Sequence, residues 1–107
     1  MSLLLLLLAA LLEAGGDAFV RVGLRTPAEF TRLFAYGTGA LMLFAYGRLI
    51  NATRWDFGRL IGIYIVFFFL VAQVIAWFTF GELPSRGVWL GGTLIVLGGA
   101  VMAMSVN

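Results

Sequence analysis

Long apolar runs alternate with short polar interruptions along this chain. The runs extend from Ser2 to Val22, Thr31 to Ile50, Gly58 to Phe80 and Gly87 to Val106. Each is about 20 residues, and at 1.5 Å rise per residue that is roughly 30 Å of helix, enough to cross the hydrocarbon core of a bilayer. The interruptions are Gly23 to Phe30 with Pro27, Asn51 to Phe57, and Gly81 to Arg86 with Pro84. Glycine and proline break helices there, and the charges in these stretches seek headgroups. The pattern predicts an all-α integral membrane protein: one domain over residues 1–107, with four short transmembrane helices. Connections this short force neighbouring helices to run antiparallel and put both termini on one side.

Composition narrows the chemistry. Of 107 residues, 63% are hydrophobic and 11% charged, far too little polar surface for a soluble domain of this size. With no Cys and no His, the chain has no disulfide framework, no thiolate metal site and no imidazole base. Ser85 and Ser105 have no base to activate them, so neither enzymatic catalysis nor a metal or cofactor is expected. The seven Arg sit singly in or near the connections, as membrane-flanking residues do, whereas a nucleic-acid-binding face would cluster them. The opening leucine run has no basic residue before it, and Glu13 interrupts the region where a signal peptide would be cut, so the segment reads as a retained span. Arg21, Arg25, Arg32 and Arg86 fall on one side of the predicted bundle and Arg48, Arg54 and Arg59 on the other. A balance this even suits insertion in both orientations and pairing as an antiparallel dimer, unless another signal fixes one orientation.

The first helix carries the chemistry. Glu13 lies mid-span, where an ionised carboxylate costs several kcal/mol and usually has a function. Asp17 at i+4 and Arg21 at i+8 continue along the same face. A carboxyl group so placed can exchange a proton for a cationic substrate, because either one neutralises it. The competing reading is structural: a fixed Asp17–Arg21 ion pair, with Glu13 protonated and packed. Gly15-Gly16 between the acids either admits another backbone closely or leaves room for a ligand.

The remaining candidates are weaker. Phe34-Ala35-Tyr36-Gly37 and Phe44-Ala45-Tyr46-Gly47 stand ten residues apart, which is not a whole number of turns, and read as coincidence. Tyr36 is a candidate pocket residue, while Tyr46 beside Arg48 fits the interfacial aromatic belt. In the bulky third helix, Tyr64 and Gln73 are the main polar side chains within the span, and an aromatic ring near a carboxylate suits an organic cation. The fourth helix places Gly91 under Gly98 and Gly92 under Gly99. The resulting groove of small residues supports close helix pairing and is expected to pack a dimer.

Taken together, these motifs resemble the small multidrug resistance transporters, and most closely their YnfA-type relatives. Leu12-Glu13-Ala14-Gly15-Gly16 is similar to that branch's acid-plus-diglycine start. Tyr46-Gly47-Arg48-Leu49, then Phe57-Gly58-Arg59 and Tyr64, are similar to its segment joining helices two and three. Leu90-Gly91-Gly92-Thr93-Leu94-Ile95 through Gly98-Gly99 is similar to its last helix. The resemblance covers nearly the whole chain. It implies an antiparallel, dual-topology homodimer in the bacterial inner (plasma) membrane, with one central site built from both copies of Glu13. It also implies proton-driven export of cationic compounds. The chain departs from the family pattern at Ile65 and Val66, which replace glycines after the helix-three tyrosine, and at the additional acid Asp17.

The expected function is proton-coupled export of a small cationic or polar compound by single-site alternating access. Glu13 is the shared proton and substrate site, with Asp17, Tyr64, Tyr36 and Gln73 as further substrate-site candidates. The expected partners are the lipid bilayer, a second copy of the chain, the substrate and protons. Two alternatives remain at this stage. One is a non-transporting membrane subunit docking to a larger complex through its glycine and phenylalanine faces. The other is a half-transporter that needs a sister chain of opposite orientation.

Overall fold

A computed structural model describes residues 3–104 of the chain. It contains α1 (Leu3–Arg25), α2 (Glu29–Asn51), α3 (Phe57–Phe80) and α4 (Arg86–Met104). Among the described residues, all four helices are long and apolar enough to cross a membrane. The all-α membrane fold read from the hydropathy pattern is therefore the observed one. The predicted limits at Ser2 and Val106, and Ser105, lie outside the described residues. One connection is much shorter than its composition suggests: the stretch from Gly23 to Phe30 is helical except for Thr26, Pro27 and Ala28. Gly23 does not end α1, because its missing side chain is used for packing inside the helix. Pro27 is the stop, since it cannot donate a backbone hydrogen bond and biases Thr26 away from helical geometry.

The described residues form two compact helical hairpins, dividing between Thr53 and Arg54. In the first, α1 and α2 pack along most of their length. On α1 the buried stripe is Leu6, Ala9, Ala10, Ala14, Gly16 and Gly23, and on α2 it is Ala35, Gly39 and Ile50, at the three-and-four spacing of a helical face. Lipid tails are as apolar as leucine, so burial gives little drive for helices to associate in a bilayer. Close backbone approach and dispersion supply it instead. The seam shows how. A Cβ added at Gly16 would lie 3.0 Å from the Gly39 carbonyl oxygen, and one added at Gly39 would lie 2.8 Å from the Gly16 carbonyl oxygen. At the connection the Thr26 hydroxyl donates to the Val22 carbonyl at 2.7 Å. Arg32 reaches back from α2, its Nε donating to the Thr26 carbonyl and its Nη2 to the Pro27 carbonyl, each at 3.2 Å. The Val22 carbonyl near the end of α1 and the Thr26 and Pro27 carbonyls of the connection are thus satisfied by side chains.

The second hairpin pairs α3 with α4 antiparallel. Gly62 faces Met102, Gly99 faces Val66 and Gly92 faces the Phe69 ring. Gly81, with φ +68°, closes α3 in a left-handed cap. Its N–H donates to the Trp77 carbonyl at 3.1 Å and the Glu82 N–H to the Ala76 carbonyl at 3.0 Å, so carbonyls of the last turns are capped by the chain folding back over them. Ser85 then opens α4 as its N-cap, the hydroxyl oxygen accepting the Val88 N–H at 3.2 Å. The outward faces of both hairpins carry large apolar side chains, among them Phe34, Leu41, Phe44, Phe78, Trp89 and Leu94. That distribution would be a liability in water and is the expected surface in lipid.

Candidate functional site

Glu13 lies ten residues from the start of α1 and twelve from its end, and it is half-buried. At 1.5 Å per residue it sits about 15 Å or more from either helix terminus, within one residue of the helix midpoint. Asp17 is one turn further along and exposed, and Arg21 follows, also exposed, one turn beyond that. Glu13, Asp17 and Arg21 thus follow one another at one-turn steps along α1.

What faces these acids is set by the register of the hairpin. Gly23 lies against the Tyr36 ring, Gly16 against Gly39 and Leu43, and Gly15 against the end of Met42. Each step along α1 toward its N-terminus meets a position further along α2, and the next turn of the α2 stripe is Tyr46. Tyr46 is half-buried, and this register carries its level on α2 past Met42 and Leu43 toward that of Glu13 and Asp17 on α1. The register thus brings to one level of the hairpin two carboxyls one turn apart on α1 and a phenol from α2. Gly15-Gly16 serves close packing here: a Cβ at Gly15 would lie 2.7 Å from Met42 Cε and one at Gly16 2.9 Å from Leu43 Cγ.

The two tyrosines of α2 lie at different levels of the first hairpin. Tyr46, which reads as an interfacial residue beside Arg48, is the one that faces the acids. Tyr36, which reads as a pocket residue, packs against Gly23, where an added Cβ would stand 2.7 Å from two of its ring carbons. Ten residues, about 15 Å of helix, separate Gly23 from Glu13. Periodicity puts Tyr46 on the α2 stripe with Ala35, Gly39, Met42 and Ile50, at four-three-four-four spacing, but does not fix what it faces.

The other candidates belong to the second hairpin. Tyr64 is buried, 2% exposed, with its ring 6.3 Å from that of Phe68 and tilted by 30°. Gln73 lines a cavity of about 410 Å³ between α3 and α4, together with Phe69, Val74, Trp89, Gly92 and Val96. The four glycines of α4 divide by face. Gly92 and Gly99 are filled from within the hairpin by Phe69 and Val66, while a Cβ added at Gly91 or Gly98 would meet nothing within 4 Å. The groove that the seven-residue repeat predicts is therefore two edges: one is occupied by α3, and the other is open in this chain.

Two UPF0060 membrane proteins of Desulfitobacterium hafniense (strain Y51) are similar to the chain. One is 30% identical over 103 residues, covering 94% of this chain and 92% of the relative. The other is 31% identical over 101 residues, covering 92% and 90%. No family model matches the chain, and no solved structure matches it.

Proposed function

This chain belongs to the UPF0060 membrane protein family, and from that membership and the acid cluster of α1 we propose that it is a proton-coupled exporter of a small organic cation. Membership makes it a multi-pass membrane protein; the transport activity is our own reading. One observation carries it: a half-buried carboxyl group, Glu13, at the middle of a membrane-spanning helix, grouped with a second acid and a phenol. An acid at that depth is costly unless something neutralises it. A proton and a cation do so interchangeably, so occupancy by one excludes the other. If the site opens alternately to the two sides, inward flow of protons drives cations outward. Asp17, nearer the end of the span and exposed, is placed to draw cations toward Glu13.

The YnfA-type resemblance extends the proposal to an antiparallel homodimer in the bacterial plasma membrane, with both copies of Glu13 at one site. The open Gly91–Gly98 edge of α4 supports pairing with a second copy. Tyr64 and Gln73, on α3, are further substrate-site candidates in this reading. A non-transporting assembly subunit would leave Glu13 with no role to offset its cost.

The test is uptake of tetramethylammonium, phenyltrimethylammonium and putrescine into liposomes containing the purified protein, driven by an imposed pH gradient. Parent protein should move at least one of these cations, and Glu13→Gln should abolish that movement. Equal uptake by the Gln variant, or no gradient-driven uptake of any of the three by the parent, refutes the exporter reading.

A further inference from the structure

Tyr46 is a polar residue on an otherwise apolar packing stripe. Its neighbours along α2 are Gly39, Met42 and Leu43 on one side and Ile50 on the other, and the facing α1 residues are mostly Leu, Ala and Gly. A phenol in such a seam needs an acceptor for its hydrogen. Helical side chains lean toward the N-terminus of their own helix. Tyr46 therefore leans toward the level of Met42 and Leu43, which sit against Gly15 and Gly16. Those two glycines lie between Glu13 and Asp17. The side-chain acceptors that α1 offers at that level are the two carboxyls. Arg48, two residues further along α2, is exposed and about 200° around the helix from Tyr46, so it does not enter the cluster.

Resting on the exporter reading, we propose that the Tyr46 hydroxyl is a positioning residue that acts as an internal stand-in for the substrate: it donates a hydrogen bond to the Glu13 carboxylate whenever that group holds neither proton nor cation, and gives it up when the cation enters. No covalent bond changes. The phenol keeps its proton, and one charge-assisted hydrogen bond is exchanged for one ion contact. The device lowers the cost of the empty, ionised state in the middle of the span. It also weakens the hold on the cation, because binding must first break the phenol's bond, and so it speeds release.

The prediction is opposite in sign to that of a residue which merely supports the fold. Tyr46→Phe keeps the ring and removes only the oxygen. Hydrogen bonds to charged groups are strong enough that KM for the transported cation should fall about tenfold, with a fall in kcat as release slows. In a Glu13→Gln background the Phe substitution should leave cation binding unchanged, since it acts through the carboxylate. The experiment measures KM and kcat in the liposome assay with the three-cation panel for the parent and Tyr46→Phe, and equilibrium binding of the same cations by isothermal titration calorimetry for Glu13→Gln and the double variant. As a check that does not rely on a variant folding, 3-fluorotyrosine placed at position 46 of the otherwise unaltered protein should shift its fluorine resonance when the cation is added. An unchanged or raised KM in Tyr46→Phe while Glu13→Gln is inactive overturns this proposal and leaves the exporter reading standing, as does a fluorine signal indifferent to cation. A fully active Glu13→Gln removes both.

Discussion

Replacing Gly39 with alanine tests the tightest point of the α1–α2 seam. The added Cβ would lie 2.8 Å from the Gly16 carbonyl oxygen, 2.9 Å from Val20 Cγ2 and 3.3 Å from Phe19 Cβ. Ordinary contact begins near 3.4 Å, so relief against the carbonyl alone needs a shift of about 0.6 Å, from 2.8 to 3.4 Å. Val20 can rotate, but the Gly16 oxygen is backbone and moves only with α1. Over-packing of a close-packed contact costs about 1–3 kcal/mol. Alanine also removes the helix penalty of glycine, about 1 kcal/mol, which would mask part of the effect. Gly37→Ala is the matched control, because a Cβ there meets nothing within 4 Å and the same propensity gain applies. The difference between the two variants isolates the seam at about 1–3 kcal/mol, or roughly 5- to 150-fold in the unfolding equilibrium. Reversible unfolding in mixed dodecylmaltoside and SDS micelles, followed by far-ultraviolet circular dichroism, should show Gly39→Ala melting at a clearly lower SDS fraction than Gly37→Ala. Coincident transitions would mean that α1 and α2 do not cross at Gly16 and Gly39, and the register that brings Tyr46 to Glu13 would lose its basis.

The two edges of α4 should respond differently to bulk. Gly99→Leu should destabilise the α3–α4 hairpin by a few kcal/mol through Val66, measured by the same denaturation. Gly91→Leu with Gly98→Leu should leave that stability within about 1 kcal/mol yet lower the yield of cross-linked dimer in membranes; unchanged cross-linking would rule out that edge as the pairing surface. At the end of α3, Gly81→Ala forces a side chain into the left-handed region at φ +68° and should cost about 1–2 kcal/mol in the same assay, with Gly81→Asn closer to the parent because asparagine tolerates that region better.

The helices were legible in the sequence because length and hydropathy settle them: a run of about 20 apolar residues has few other soluble or membrane solutions. What misled was punctuation. Gly23 reads as a breaker in a list of loop residues, but in lipid a glycine is as often a contact surface, and only Pro27 carries a backbone reason to stop. The acids of α1 were legible for the same reason as the spans, since a charge in an apolar run stands out. The partner of those acids was not. Whether Tyr36 or Tyr46 faces Glu13 depends on the axial offset between two antiparallel helices, which no single-helix periodicity fixes. Here the offset is set by Gly16 meeting Gly39, a coincidence of two glycines far apart in the chain. The diglycine pairs of α4 were recognisable as contact surface, but periodicity alone gave no way to assign one edge to Phe69 and Val66 and leave the other open.

Five of the 19 residues of α4 are glycine: Gly87, Gly91, Gly92, Gly98 and Gly99. At about 1 kcal/mol each relative to alanine, the sequence of this segment disfavours its own conformation by roughly 5 kcal/mol wherever water can solvate the peptide groups. Hydrocarbon reverses the balance, since an unpaired amide there has no solvent to turn to and must close onto its own coil. The last span thus takes its shape from its surroundings as much as from its residues. Short-chain detergents that admit water to the peptide backbone will unwind it before the leucine-rich segment at the other end of the chain.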